Sequence, residues 1–338
     1  MPTRDIMDRL NAGEVLLMDG GTGSEIQRRG ANVLVDATAE TELRAWSATA
    51  NIDFADVVQQ VHQDYLRVGS DVLISNNFWA TPRRLKLIGL GDRWEDYARA
   101  AGENAIKARD ALNPEAYVVG GIAPLYMQGR HAASPKSDVE TMGEEAFQLE
   151  FAGPARILAG LGVDAILPEY VGFIDDCVAT VDACSTAGLP VFLGVRHITD
   201  YGWMQYGESL ANLTTALKGH KVDAILLMCS RPETISAGLP LLRQAFDGPI
   251  GAYANVGYNP MAPVGGRSHR GLDILSGYSP LRLAQYAREW KEMGAQIIGG
   301  CCATGPEHIM AMRPVVKGQS HPTRNAIADG RSSSAYRR

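Results

Sequence analysis

A short phrase recurs along the chain and restricts the fold more than any other feature of the sequence. Each copy is a nearly continuous apolar run, rich in β-branched residues, that follows a helical pattern and ends in polar residues. The clearest copies are GSDVLISNN (69–77), GVDAILPEY (162–170), KVDAILLMC (221–229) and GAQIIGGCC (294–302). Apolar runs of this kind are typical of parallel strands covered on both faces.

Further apolar runs complete the series: EVLLMD (14–19), YVVGGI (117–122), PVFLGV (190–195) and PIGAYA (249–254). The segments between the runs carry amphipathic helical patterns, such as 281–294 with Gly294 as a stop signal. Eight strands alternating with helices predict an α/β protein, a single-domain (β/α)8 TIM barrel over residues 1–316. The alternative is a doubly wound sheet, but the segment after the first strand, MDGGTGSEIQRRG, lacks the spacing of a dinucleotide-binding G-x-G-x-x-G.

Two segments stand apart from this pattern. Residues 127–145 are polar and turn-rich, which predicts a mobile loop over a site. Residues 317–338 are polar, rich in Ser and Arg, and without periodicity, which predicts a flexible C-terminal tail.

Composition excludes several classes of protein. The 338 residues carry a net charge of −6 with no basic block outside the tail, so we expect no nucleic-acid partner. No apolar stretch is long enough to span a bilayer, and the N-terminus lacks the apolar region of a signal peptide, so we expect no membrane partner and a cytoplasmic location. Five cysteines in such a chain argue against a disulfide framework. The oligomeric state stays open, a homo-oligomer included.

Three of the five cysteines end two of the predicted strands. Cys229 follows the sixth strand, and Cys301 and Cys302 follow the eighth, so their side chains are expected at the same mouth of the barrel. Three thiolates at one point repel each other and need a cation, and catalytic zinc takes three protein ligands plus one open position. Three unrelated buried cysteines remain the alternative, because Cys229 is too far from Cys301 in sequence to form a recognised zinc motif.

Adjacent residues of a strand point to opposite faces, which poses a problem for a vicinal pair of thiols. Gly299 and Gly300 precede the pair. We expect these glycines to supply a bulge or a positive φ that turns both thiols the same way. The other cysteines, Cys177 and Cys184, fall in a predicted helix and are expected to be small buried side chains.

Four stretches of the chain resemble the homocysteine S-methyltransferase family, which includes the betaine– and S-methylmethionine–homocysteine methyltransferases. The stretches are LLMDGGTGSEIQRRG (16–30), DVLISNNFWATPRRLKLIGL (71–90), GGIAPLY (120–126) and GGCCATGPEHI (299–309). The last is the family signature, and the single upstream Cys229 accompanies it. The resemblance covers roughly residues 10–315.

The resemblance implies a (β/α)8 barrel and a zinc-dependent enzyme of methionine biosynthesis. Such an enzyme transfers a methyl group from a small onium donor to the thiolate of homocysteine, giving methionine. By resemblance, the Zn²⁺ ligands are Cys229, Cys301 and Cys302. Also by resemblance, Glu169 holds the homocysteine ammonium group, and the other substrate-binding residues are Asp19, Gly20, Gly21 and Asn255.

The sequence also offers candidate residues for binding the methyl donor. The chain has no room for folate or cobalamin domains, so a small donor must enter the same mouth, and aromatic faces stabilise onium cations. Phe78 and Trp79 at the end of the second strand are candidates, and Tyr170 and Tyr258 are weaker ones. Phe78 could equally be a core aromatic.

Arg196 and His197, at the end of the fifth strand, could contact an anionic group of a substrate. A rim position without a chemical role is the other interpretation of His197.

The chain departs from the family pattern at several positions. Met228 stands where the family usually has Asn, Ala303 stands where Gly is common, and residues 196–198 are larger than usual. The acceptor could therefore be a different thiol or a selenol. A non-catalytic zinc- or thiol-binding barrel, or a redox protein that cycles the Cys301–Cys302 pair, is a further alternative.

Overall fold

The structure of the protein, a computed structural model, describes residues 2–31, 45–124, 136–257 and 277–318. Within these ranges the chain forms eight parallel strands: β1 (Leu16–Leu17), β2 (Val72–Ile74), β3 (Tyr117–Ile122), β4 (Ala165–Pro168), β5 (Phe192–Arg196), β6 (Ala224–Met228), β7 (Ile250–Ala254) and β8 (Ala295–Gly300). In the same ranges the helices are α1 (Ile6–Asn11), α2 (Thr22–Arg28), α3 (Ala50–Asp53), α4 (Ala55–Arg67), α5 (Pro82–Lys86), α6 (Trp94–Leu112), α7 (Asp138–Met142), α8 (Glu144–Leu161), α9 (Ile174–Ser185), α10 (Leu210–Ala216), α11 (Pro232–Ala245), α12 (Pro280–Glu292) and α13 (Pro306–Lys317). Trp46–Thr49 and Gly91–Arg93 are 3₁₀ turns.

The strands close into a ring in sequence order. Hydrogen-bonded ladders join β1-β8-β7-β6-β5 and β2-β3-β4. The parallel bridges Met18↔Val72 and Ile166↔Val191 connect these two sheets, at β1–β2 and β4–β5. The predicted (β/α)8 barrel is therefore confirmed, and the doubly wound alternative is wrong. Each of the eight predicted apolar runs contains most or all of one observed strand.

Neighbouring residues of each strand enter two different cores. In β1, Leu16 joins a cluster with Val119 and Leu226 from other strands, which fills the inside of the ring. Leu17 joins the larger cluster, with residues such as Ile298, that lies between the strands and the helices. Because both faces of every strand are buried, the sequence shows continuous apolar runs rather than alternation.

The aspartate that recurs in the repeated phrase has a structural role. Asp71, Asp164 and Asp223 each stand just before an even-numbered strand. Each carboxylate accepts a hydrogen bond from a backbone N–H near the start of the preceding strand, at 2.9, 2.7 and 2.8 Å respectively. The aspartates thus join β1 to β2, β3 to β4 and β5 to β6 at the bottom of the barrel, on the side away from the strand ends that carry the cysteines.

Two segments that stood apart in the sequence are only partly covered by the described residues. Residues 125–135 of the predicted loop region lie outside the described residues, but α7 and the start of α8 occupy 138–145, so the expectation of a loop is wrong there. The reason is a helix cap, since the Ser137 hydroxyl accepts from the Glu140 N–H at 2.9 Å. Of the predicted tail, residues 319–338 lie outside the described residues. In the described ranges, no helix has both the length and the apolarity needed to cross a membrane.

Replacing Asp223 tests the carboxylate ties. Asp223→Ala should lower the free energy of unfolding by about 2 kcal/mol, because it leaves a backbone donor unpaired. Asp223→Asn keeps an acceptor oxygen and should lose less than half as much. Urea denaturation of both variants measures the difference, and equal losses would contradict the role of the acceptor.

A fully buried histidine predicts a specific acid sensitivity. His62 in α4 is 0% exposed, and neither ring nitrogen has a hydrogen-bond partner in the described part of the chain. Burial lowers its pKa from 6.5 to about 4, so the unfolded chain binds the proton first as the pH falls. This difference costs stability between pH 6.5 and 4 and costs nothing above that window.

The free energy of unfolding of His62→Leu, relative to that of the wild type, should therefore rise by about 2 kcal/mol as the pH falls from 7 to 5. Urea unfolding at the two pH values measures this gain. A constant difference between the two proteins would show that the unfolded and folded states protonate His62 alike.

Candidate active site

The vicinal cysteines lie in the turn between β8 and α13. The Cys301 N–H donates to the Ala254 carbonyl at 2.8 Å, and the Cys302 carbonyl accepts from the Val256 N–H at 3.2 Å. Ala303 follows with a left-handed φ of 64°, and its N–H donates to the Ser24 hydroxyl at 3.0 Å. The turn is therefore attached to β7 on one side and to α2 on the other.

The expected role of the two glycines before this turn is wrong. Gly299 and Gly300 lie in regular register with β7, without a bulge or a positive φ. They are needed for space: a Cβ at Gly299 would lie 2.7 Å from the Asp19 carbonyl, and one at Gly300 would collide with the Thr304 side chain. The left-handed φ angles around the thiols belong instead to Ala303, which follows the pair, and to Cys229, whose φ is 44°.

The three thiols form a compact cluster. The Cys229 and Cys302 sulfurs are 3.8 Å apart, as are those of Cys301 and Cys302, and all three lie within 4.8 Å of one another. Four tetrahedral ligands with Zn–S bonds of ~2.3 Å have sulfurs about 3.8 Å apart. Among the described residues, this is the one group of three or more His, Cys, Asp or Glu side chains close enough to share a metal ion. The donor set and its spacing fit a thiophilic cation.

The cluster releases its protons unevenly. Hydrogen bonds from Cys301 and Cys302 hold the pKa of the Cys229 thiol well below its usual range. The same hydrogen bonds to Cys229, together with burial, hold the pKa of Cys301 well above its usual range, and that of Cys302 is also raised. One proton therefore leaves readily, while ionisation of all three thiols requires a cation beside them.

A cavity of about 810 Å³, counting its open mouth, adjoins the thiols. Its walls combine aromatic rings, one carboxyl group and small polar residues from the ends of several strands. The aromatic side chains are Trp46, Phe78, Trp79, Tyr170 and Tyr253, and the polar lining includes Ser24, Ser47, Ser75 and Asn76. Glu169 is the one Asp, Glu, Lys or Arg among the described residues that line it.

Glu169 is a buried acid inside this cavity. Burial raises its pKa to about 8, against a hydrogen bond from the Tyr253 hydroxyl, which lies 3.1 Å from Oε2. Glycines on the neighbouring strands make room for these groups, since a Cβ at Gly121 would lie 2.5 Å from Glu169 Oε1 and one at Gly194 would lie 2.5 Å from the Tyr253 hydroxyl oxygen. A buried carboxyl of this kind favours a cationic partner.

Of the other predicted substrate-binding residues, Gly20 and Gly21 line the cavity, while Asp19 lies behind them. Asp19 is fully buried, and its Oδ2 accepts from the Ile74 N–H at 2.9 Å. Asn255 is also outside the lining, with its Nδ2 3.7 Å from the Cys229 sulfur. Asp19 thus joins β1 to β2, and Asn255 faces the thiol cluster rather than the cavity.

The predicted donor pocket divides into two groups. Phe78 and Tyr170 line the cavity with ring centroids 5.5 Å apart. Trp79 lines it too, but the Arg84 guanidinium already lies 3.8 Å from its ring centroid, and its Nε1 donates to a backbone carbonyl. Trp79 is thus less suited to a second cation than Phe78 or Tyr170. Tyr258 lies outside the described residues.

Arg196 and His197 lie behind Tyr170 and do not line the cavity. The Arg196 guanidinium carbon is 4.8 Å from the Tyr170 ring centroid, and the side chain is buried. The His197 Nε2 is 3.2 Å from the Tyr170 hydroxyl, and its Nδ1 is 2.9 Å from Gln205 Oε1. Met228, the departure from the family pattern, places its sulfur 2.8 Å from the Tyr170 N–H.

Three strand ends share an unusual backbone conformation that positions these groups. Tyr170, His197 and Cys229 follow β4, β5 and β6 with φ angles of 65°, 50° and 44°. Non-glycine residues rarely adopt this left-handed region, and strained residues of this kind cluster at functional sites. Of the three, Tyr170 and Cys229 line the cavity, and His197 contacts Tyr170 from behind.

Known proteins were compared with the chain. A model of the family described as homocysteine S-methyltransferase matches residues 16–316. The chain belongs to the homocysteine S-methyltransferase family. Membership in this family makes the protein a methyltransferase enzyme, as expected from the signature at 299–309.

Individual relatives span nearly the whole chain. The homocysteine S-methyltransferase of Escherichia coli (strain K12) is 26% identical over 92% of this chain and 97% of the relative. Betaine–homocysteine S-methyltransferase 1 of Bos taurus is 27% identical over 91% of this chain and 74% of the relative. The crystal structure of the metallated form of the homocysteine methyltransferase MmuM from Escherichia coli is 24% identical, covers 90% of this chain and 98% of the other, and superposes with a TM-score of 0.72. That similarity supports the fold.

Several lining residues were missed from the sequence. Trp46 and Ser47 lie in a 3₁₀ turn that is far along the chain from any strand end, so no strand-end pattern in the sequence indicates them. Tyr253 lies inside β7, and only its place among the inward-facing residues could have indicated it. Ser75 and Asn76 directly follow β2 and carried a strand-end signal.

Replacing Gly300 tests the space argument. Gly300→Ala should weaken metal binding by the three thiols at least about tenfold, because the new methyl group displaces Thr304 and with it the turn. Titration with Co²⁺, followed by thiolate charge-transfer absorption, measures the affinity. Gly160→Ala is the matched control, since a Cβ at Gly160 meets nothing within 4 Å. Equal affinity in both variants would refute the argument.

Proposed function

We propose that this member of the family is a zinc-dependent enzyme that transfers a methyl group from a small onium donor to the thiolate of homocysteine, giving methionine. The observation that carries the proposal is the arrangement of three thiols beside a cavity with aromatic walls and one buried carboxyl group. The names of the bacterial and bovine relatives, which specify homocysteine and betaine, point to the same pair of substrates.

Zinc is the metal that best suits Cys229, Cys301 and Cys302. Thiolate ligands select soft or borderline cations, and a set of three protein ligands leaves a fourth position for a substrate. When bound, zinc supplies a Lewis acid that keeps a coordinated thiol deprotonated at neutral pH. The metallated form of the related crystal structure supports a metal at this site.

The amino-acid end of homocysteine fits the inner wall of the cavity. Glu169 offers a carboxyl group that is buried and lacks a cationic partner among the lining residues, and the substrate ammonium supplies one. Gly20 and Gly21 bring backbone close to the same space, and both are constrained there, since a Cβ at Gly20 would lie 2.6 Å from the Thr304 carbonyl. The predicted contact of Asp19 with homocysteine becomes an indirect one, through this glycine turn.

The onium group of the donor fits the aromatic walls. Trp46, Phe78, Tyr170 and Tyr253 line the cavity, and no Lys or Arg is among its described lining residues. Each aromatic face stabilises a cation by about 0.5–2 kcal/mol. The substrate sulfur attacks the methyl carbon while the bond from that carbon to the onium atom breaks, and the electron pair leaves with the donor as a neutral amine or sulfide. The chain contributes by aligning the three atoms.

A donor screen tests the proposal. Zinc-loaded protein with homocysteine should form methionine from S-methylmethionine, betaine or another onium compound, as measured by mass spectrometry. Cys302→Ser should abolish both the activity and the binding of about one zinc per chain. Cys184→Ala is the control, because Cys184 is buried in α9 away from the cavity, and it should retain both properties.

Other outcomes identify the alternatives. Faster methylation of a selenol or another mercaptan than of homocysteine would identify that compound, and not homocysteine, as the acceptor. A lack of transfer from every onium donor, with reversible oxidation of the Cys301–Cys302 pair, would favour a redox protein. Unchanged Michaelis constants in Arg196→Ala would remove the predicted contact of that residue with a substrate anion.

A further inference from the structure

One wall residue of the cavity is held in a conformation that is unfavourable for its type. Trp46 has a left-handed φ of 48°, and its side chain lines the cavity. A bulky residue in this region of φ is a backbone outlier, which persists only where the surroundings enforce it. Part of the enforcement is close packing on Gly23, where a Cβ would collide with the indole ring.

The rest of the enforcement comes from a buried amide network. Asn76, just after β2, donates from Nδ2 to the Ser47 carbonyl at 2.9 Å and to Asn51 Oδ1 at 2.8 Å. In return, the Ser47 hydroxyl donates to Asn76 Oδ1 at 2.7 Å, and Asn51 Nδ2 donates to the Asn76 carbonyl at 2.9 Å. These reciprocal bonds attach the turn that carries Trp46 to the end of β2, next to Phe78.

The network continues away from the cavity. Asn104 in α6 donates to the Asn51 carbonyl at 2.9 Å, and Gln59 in α4 donates to Asn104 Oδ1 at 3.0 Å. Asn51 and Asn104 are 0% and 2% exposed, and neither lines the cavity. A fully satisfied buried network specifies one arrangement of the segments it joins, because any other arrangement leaves polar groups unpaired.

We infer that Asn51 and Asn104 are positioning residues for the methyl donor. They hold the Trp46–Ser47 turn against the end of β2 and so fix Trp46 and Phe78 as walls of one cavity. The inference rests on the proposed function, because it assigns the onium group to these walls. The thiol cluster and Glu169 come from other strand ends, so the network acts on the donor and not on homocysteine or zinc.

Kinetics of Asn51→Ala test the inference. The KM for the methyl donor should rise about tenfold, because the substitution removes both hydrogen bonds between the Asn51 side chain and Asn76, while the KM for homocysteine and the zinc content stay unchanged. Trp46→Ala should raise the same KM, and the two changes should not add in the double variant, because both act through one ring. Additive effects, or equal changes in both KM values, would overturn the inference.

A second readout does not depend on activity. The fluorescence of Trp46, obtained by subtracting the spectrum of Trp46→Phe, should shift in Asn51→Ala and, to a smaller degree, in Asn104→Ala. An unchanged spectrum in both would overturn the inference. If Asn51→Ala fails to fold, Asn104→Ala carries the test with the same expected direction in donor KM, and an unchanged KM there contradicts the inference.

A matched control separates positioning from general destabilisation. Thr180→Ala removes a fully buried polar group in α9, which contributes no residue to the network, and should lower stability without changing the donor KM. Failure of the proposed function looks different from failure of the inference. No methyl transfer from any onium donor refutes the function, whereas transfer that depends on Trp46 but not on Asn51 refutes only the inference.

Discussion

Three sulfur atoms within 4.8 Å of one another are the constraint around which this end of the barrel is arranged. The ends of β6 and β8 must meet there. Cys229 follows β6 with a left-handed backbone, and the other two cysteines lie in the turn after β8. The turn at Cys301 and Cys302 needs β8 to approach Asp19 and Thr304 more closely than any side chain allows, which accounts for the two glycines before it. Ala254, Val256 and Ser24 then hold the turn in place. Ionisation of all three thiols would bring three negative charges together, and a bound cation relieves that repulsion.

The fold could be predicted from the sequence because its signal is repeated. A strand buried on both faces reads as a continuous apolar run, and the alternation of such runs with helical patterns leaves few architectures. The repeated phrase also contains the structural aspartates. Their hydrogen bonds to the preceding strands could not be predicted, because they depend on which strands are neighbours in the barrel. Local capping was harder to predict, since the Ser137 cap that begins α7 lies inside a segment of loop-like composition.

The site could be predicted only where a thiol or carboxyl side chain directly follows the end of a strand. Cys229, Glu169 and the Cys301–Cys302 pair satisfy that condition. Side-chain direction could not be predicted, because Tyr170 and His197 have left-handed backbones that no residue type in the sequence indicates. Arg196 was therefore expected at the cavity, whereas it lies behind Tyr170. The Trp46 turn is held at the cavity by a network of side-chain amides from α3, α4, α6 and the end of β2, and such a network is a product of tertiary structure.

The ring of strands is joined in two different ways. Between β1 and β2, an isolated bridge and two aspartate side chains take the place of a ladder, with Asp71 at the bottom and Asp19 near the mouth, and isolated bridges likewise join β4 to β5. The β1–β2 seam therefore depends on carboxylate oxygens at both of its ends. It lies between the glycine turn on one side and the Asn76–Phe78 wall on the other. A substitution at Asp19 therefore acts on both of these walls at once, although the Asp19 side chain lies outside the cavity lining.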